Sequence, residues 1–246
     1  MYSLEVIAFS IESCTTAVEA GAQRIELCDN SFEGGTTPSA GMIKMARSLV
    51  DIDLFPIIRP RGGDFLYHDD EYRIMQEDIR LCKDLGCNGV VIGILTKNGS
   101  IDIDRISKLV ELAYPLEVTF HRAFDRVQNY ETALEEVIKC GCKRILTSGL
   151  HPTVNEGRDI LKHLISLAAG RITIMPGSGL RSSNLKEIAE YTGAKEFHSS
   201  ARIEKSSSML YWNEDMTEDL RYTILDSLEV RKMRQILDQL PGTNTE

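Results

Sequence analysis

Short apolar runs alternate with amphipathic stretches along almost the whole chain, and this rhythm restricts the fold more than any other feature. Eight runs read as strands: 4–8, 24–28, 54–58, 89–92, 116–120, 144–147, 172–175 and 195–198. Helical spacing fills the intervals, most clearly over 11–19, 72–85, 130–139 and 155–168. Gly21, Gly86, Gly141, Gly170 and Gly193 stand where helices stop. Eight such units in 246 residues predict an α/β fold, a (β/α)8 barrel of the TIM type, as a single domain. An open doubly wound sheet competes with the barrel, but no GxGxxG motif follows the first strand to support it. The rhythm breaks at 203–219, expected to be an irregular loop on the upper face. Beyond it, 220–240 reads as the closing helix and 241–246 as a frayed tail.

The strands run out into loops rich in charge or glycine. FPIIR leads into PRGGDFLY, LEVTF into HRAFD, ITIM into PGSGLR and KEF into HSSAR. In this fold the carboxyl ends of the strands form the functional face. Arg59 and Arg61, next to Gly62, Gly63 and Asp64, offer forked donors suited to gripping an anion. Gly177 and Gly179 precede a helix that begins around Ser182, Ser183 and Asn184, and Ser199 follows the next strand. Freed backbone N–H groups at a helix N-terminus suit a phosphate. A tight turn before a capped helix explains the same loops equally well.

Strand parity fills the interior. Leu116, Val118 and Phe120 share one face, which leaves Glu117, Thr119 and His121 on the other. The same alternation turns Glu5, Ile7, Glu26, Cys28, Ile57, Arg59, Glu196 and His198 inward. Burying so many ionisable groups is costly unless they pair or act. Glu26, His121 and His198 are therefore candidate acid–base residues, since a histidine beside a carboxylate exchanges protons near neutral pH. No HxH or HExxH spacing anchors a divalent metal.

The formal net charge of −9 argues against nonspecific binding to nucleic acid or to an anionic membrane. No window reaches the length of a transmembrane span, and the N-terminal run lacks a basic segment and a cleavage site, so a cytoplasmic location is expected. The six cysteines read as free thiols. Cys82 and Cys87, like Cys140 and Cys142, fall at helix-to-strand junctions, where packing explains them.

RIELCDN, EGGTTPSAG, IRPRGGDFLY, PLEVTFHRAFD, RILTSG, RITIMPGSGLR and EFHSSAR, in that order, resemble the motifs of the CutC family, the copper homeostasis proteins. The resemblance implies a (β/α)8 barrel, a cytoplasmic protein and a link to copper handling, with Cu(I) as the ligand. It carries Glu26, Cys28, Arg59, Arg61, Asp64, His121, Arg122, Asp125 and His198 into the family's upper-face motifs. Some members place a second cysteine on strand one, and Ile7 stands there in this chain. Cu(I) prefers soft ligands, so Cys28 needs help from a histidine or from Met42, Met175 or Met209. The alternative is a barrel isomerase, lyase or hydrolase acting on a small anionic or phosphorylated metabolite. Arg59, Arg61 and the Gly177–Gly179 loop would hold that metabolite. A homo-oligomer suits a barrel of this size.

Overall fold

Eight parallel strands, each followed by helix or loop, form the barrel in the computed structural model, which describes residues 2–241. They are β1 (Ser3–Ala8), β2 (Arg24–Leu27), β3 (Asp53–Pro56), β4 (Gly89–Ile92), β5 (Glu117–Phe120), β6 (Arg144–Thr147), β7 (Thr173–Pro176) and β8 (Glu196–Ser199). The helices around them are α1 (Ile11–Glu19), α2 (Ala40–Leu49), α3 (Asp69–Asp84), α4 (Ile103–Ala113), α5 (Tyr130–Lys139), α6 (Arg158–Ala168), α7 (Ser182–Thr192) and α8 (Ser227–Gln239). The strands hydrogen-bond in the orders β3-β2-β1-β8 and β4-β5-β6-β7. Ile58 donates to the Val91 carbonyl and Asn88 to that of Leu54, which joins β3 to β4. Along the other seam Gly177 packs against His198, and a Cβ there would collide with Leu146.

Alternation sorts the strand residues into two cores. Val6, Ile25, Leu54, Ile58, Val90, Val118, Phe120 and Ile145 pack outward against the helices. Ile7, Cys28, Phe55, Ile57 and Val91 pack inside the barrel. At the bottom of the interior, Phe55 lies beneath two arginines, with Arg24 and Arg144 at 5.2 and 5.4 Å from its ring centre. Gly89 faces that ring and the Glu117 carbonyl so closely that a Cβ would collide with both.

The expected irregular segment is partly ordered. Its first residues form β9 (Arg202–Lys205), which pairs antiparallel with β10 (Tyr222–Leu225) in a hairpin that leaves 206–221 irregular. The closing helix therefore starts at Ser227 rather than near 220, because Asp226 caps it by accepting from the Leu228 and Glu229 amides. In the expected frayed tail, residues 242–246 lie outside the described residues. No helix among the described residues is long and apolar enough to cross a membrane.

Candidate functional site

The densest group of ionisable side chains lies inside the barrel, where β8, β1 and β2 run side by side. His198 Nδ1 is 2.7 Å from Glu5 Oε1, and its Nε2 is 3.7 Å from Glu26 Oε2. Ligating atoms of all three residues fall within 4.8 Å of one another, and all three side chains are buried. Arg24 bonds Glu5 at 2.5 Å and Glu196 at 2.6 Å, and Arg144 joins Glu196 and Glu117 at 2.7 Å each. The group is a charge network with a histidine at its upper end.

The three groups differ in protonation for physical reasons. Burial alone would raise Glu5, but Arg24 and His198 outweigh it and hold its carboxyl at about 2. Burial raises Glu26 to about 7, and the neighbouring Glu5 charge adds to the rise. Burial works against a charged His198, yet the Glu5 hydrogen bond and the Glu26 charge raise it above its ordinary value. Glu5 thus orients the imidazole, while Glu26 and His198 are both shifted upward, Glu26 to about 7.

Cys28 stands two residues beyond Glu26 on the same face of β2. Its thiol is fully buried beside Ile7, Phe55, Ile57 and Val91. Burial, then the Glu26 and Glu5 charges, push it well above the usual thiol range. Gly35, at φ +100°, closes over it, and a Cβ there would sit 3.1 Å from Sγ.

Above this interior a cleft of about 1020 Å³ opens at the strand ends, lined in part by Gly34, Arg59, Phe65, Lys97, Arg122 and Arg126. Arg59 is 6% exposed. It donates to the carbonyls of Glu33, Gly35 and Gly63, which ties the loops after β2 and β3 together. Arg61 bonds Asp64, the Leu66 carbonyl and Glu71 in the first turn of α3, so its fork is taken up locally. Arg122 bonds Asp125 and the Ser148 hydroxyl. Asp125 in turn accepts from Thr147 Oγ1 and from the Ser148 and Leu150 amides, organising the loop after β6.

Three expectations change. His121 does not join the acid–base group: burial, then the Arg59 charge, hold it down to about 3, so the ring stays neutral. The α7 N-terminus beyond Gly177 and Gly179 already holds a carboxylate. Glu229 of α8 accepts from the Ser182 amide at 2.7 Å and its hydroxyl at 2.8 Å. Ser199 is engaged as well, donating to the Leu180 carbonyl at 2.7 Å. Sequence reasoning missed Arg24 and Arg144. The parity that turned Glu26 inward also turns Arg24 inward, and that signal was in RIELC.

Residues 2–203 match the family model described as the CutC family. A CutC family protein of Chromobacterium violaceum is 50% identical over 208 residues, 85% of this chain and 84% of the relative. The mouse protein named copper homeostasis protein cutC homolog is 48% identical over 212 residues, 86% of this chain and 78% of its own. The crystal structure of a CutC protein from Streptococcus agalactiae superposes with a TM-score of 0.78 at 37% identity, covering 81% of this chain and 99% of that one. The run of matching motifs, the barrel and these relatives agree: the chain belongs to the CutC family.

Proposed function

We propose that this chain takes part in copper homeostasis and holds Cu(I) at Cys28. Kinship supports the role, since the mouse relative carries that name. One observation carries the choice of ligand. Of the six free cysteines, Cys14, Cys82, Cys87, Cys140 and Cys142 pack between barrel and helices, and Cys28 alone belongs to the inner cluster. His198 is the imidazole that the fold brings into the same interior. An enclosed thiol gives up its proton only when a metal replaces it, so binding releases a proton and tightens as pH rises. Free buried cysteines suit a reducing cytoplasm. An anaerobic Cu(I) competition titration of the wild type and Cys28→Ala tests the reading, with loss of stoichiometric binding expected in the variant.

A second reading rests on the Glu5–His198–Glu26 group. A carboxylate that orients a histidine, with a second carboxyl raised to about 7 beside it, is equipment for moving protons. A cleft at the strand ends, whose lining sets Arg59, Lys97, Arg122 and Arg126 against Glu33, Asp64 and Asp125, adds cationic groups that fit a barrel isomerase, lyase or hydrolase acting on a small anionic metabolite. A thermal-shift screen of small phosphorylated and carboxylated metabolites tests this. If no compound stabilises the protein, the enzyme reading fails.

A further inference from the structure

Three arginines are buried, and they are not alike. Arg24, 3% exposed, and Arg144, 9% exposed, each contact two carboxylates. Arg59, 6% exposed, bonds only carbonyl oxygens and makes no ion pair among the described residues. Its Nε is buried without a hydrogen-bond partner. A buried cation without a counter-charge is costly, as is a buried donor without an acceptor.

A second unpartnered donor lies close by. His121 Nδ1 accepts from the Ala123 amide at 3.1 Å, so the ring proton belongs on Nε2. Gly93 packs against the Nδ1–Cε1 edge, and a side chain there would collide with it. Nε2 is the ring's remaining polar corner, and it too is buried without a partner. Phe65 links the two groups: the Arg59 guanidinium lies 5.1 Å from its ring centre and the imidazole 4.9 Å. Both Phe65 and Arg59 line the cleft. The buried Tyr67 hydroxyl lies beside the Arg59 side chain, which opposes the rise that burial gives it, although no well-aligned hydrogen bond joins the two.

We propose that Arg59 and His121 together hold one oxyanion of a small metabolite, a carboxylate or a phosphate, at the inner end of the cleft. Arg59 supplies the charge and Nε–H, and a neutral His121 donates through Nε2–H. In the free site, burial and then the Arg59 charge keep the imidazole uncharged, so it meets the ligand as a hydrogen-bond donor. The assignment rests on the metabolite reading and deepens it. It places the anionic end of the ligand beside Phe65.

NMR of the full chain with isotope-labelled histidine tests the assignment, using inorganic phosphate and malonate as separate probes. The expected result is a His121 ring protonated on Nε2 whose signal shifts saturably with one of the two probes. The responding probe tells phosphate from carboxylate. His121→Asn keeps an acceptor for the Ala123 amide, but its shorter amide cannot place a donor where Nε2–H stands, and it is expected to bind that probe about tenfold more weakly. Saturable binding that leaves the His121 signal unmoved would overturn the subsite while the metabolite reading stands. A ring protonated on Nδ1, a signal indifferent to both probes, or wild-type affinity in His121→Asn would also overturn the subsite. The metabolite reading falls separately, if the wider screen finds no ligand.

Discussion

His198 Nδ1 and Glu5 Oε1 lie 2.7 Å apart, and the two residues are also register partners across β8 and β1. Backbone pairing thus fixes the distance between two buried charges before any side chain adjusts. Removing one charge leaves the other without its counterpart in a site closed to water. Glu5→Gln is expected to cost about 3–5 kcal/mol, read by urea denaturation near pH 6. An exposed pair such as Arg221 with Glu204 should cost far less when broken, because water solvates both charges. Equal costs for the two variants would contradict a closed interior.

The pH dependence of stability has a definite sign. Glu5, held at about 2 against 4.5 in the unfolded chain, stabilises above 4.5, and its contribution is lost as pH falls through about 2. Glu26 behaves oppositely. Raised from 4.5 to about 7, it keeps a proton that the unfolded chain releases, so stability falls as pH climbs across that window. His198, raised above 6.5, stabilises below 6.5 and loses its contribution as pH rises through its folded value. His121, held at about 3 against 6.5 in the unfolded chain, works the other way and adds stability as pH rises towards 6.5. The denaturation midpoint is therefore expected to fall mainly between about pH 6.5 and pH 8, and Glu26→Gln to flatten much of that slope. A midpoint that climbs with pH over this range would show Glu26 ionised in the folded protein.

Gly89 has no space for a side chain between the Phe55 ring and the Glu117 carbonyl. Gly89→Ala must displace the ring that carries Arg24 and Arg144, at a cost of about 1–3 kcal/mol. Thermal denaturation reads the loss, and an unchanged midpoint would mean that the lower interior is loosely packed.

Glu229 caps α7 from a neighbouring helix. Glu229→Ala removes the acceptor for the Ser182 amide and hydroxyl, with an expected cost of about 1–2 kcal/mol. Hydrogen exchange in the first turn of α7 should accelerate in the variant. Unchanged exchange there would show that the cap does not hold that turn.

Period was the part of the fold that the sequence displayed well. The strands emerged because buried β-runs bounded by glycine turns look alike wherever they occur, and alternation put Glu26, Cys28, Arg59, Glu196 and His198 inside. The hairpin of β9 and β10 was hidden because β9, RIEK, is mostly exposed and charged, and β10, YTIL, merges with the apolar residues of the helix that follows. Arg59 and Arg61 looked like two equal anion grips. Only the folded loops show Arg61 spent on Asp64 and Glu71 while Arg59 stays without a carboxylate. The Glu229 cap joins residues 47 positions apart, a distance no local motif reports.

Anaerobic Cu(I) titration against a competing chelator, with wild type and Cys28→Ala side by side, tests the central claim most directly. The account predicts one tightly held Cu(I) in the wild type, proton release on binding, and loss of that site in the variant. Binding that persists in Cys28→Ala, or no tight binding to the wild type, would contradict it.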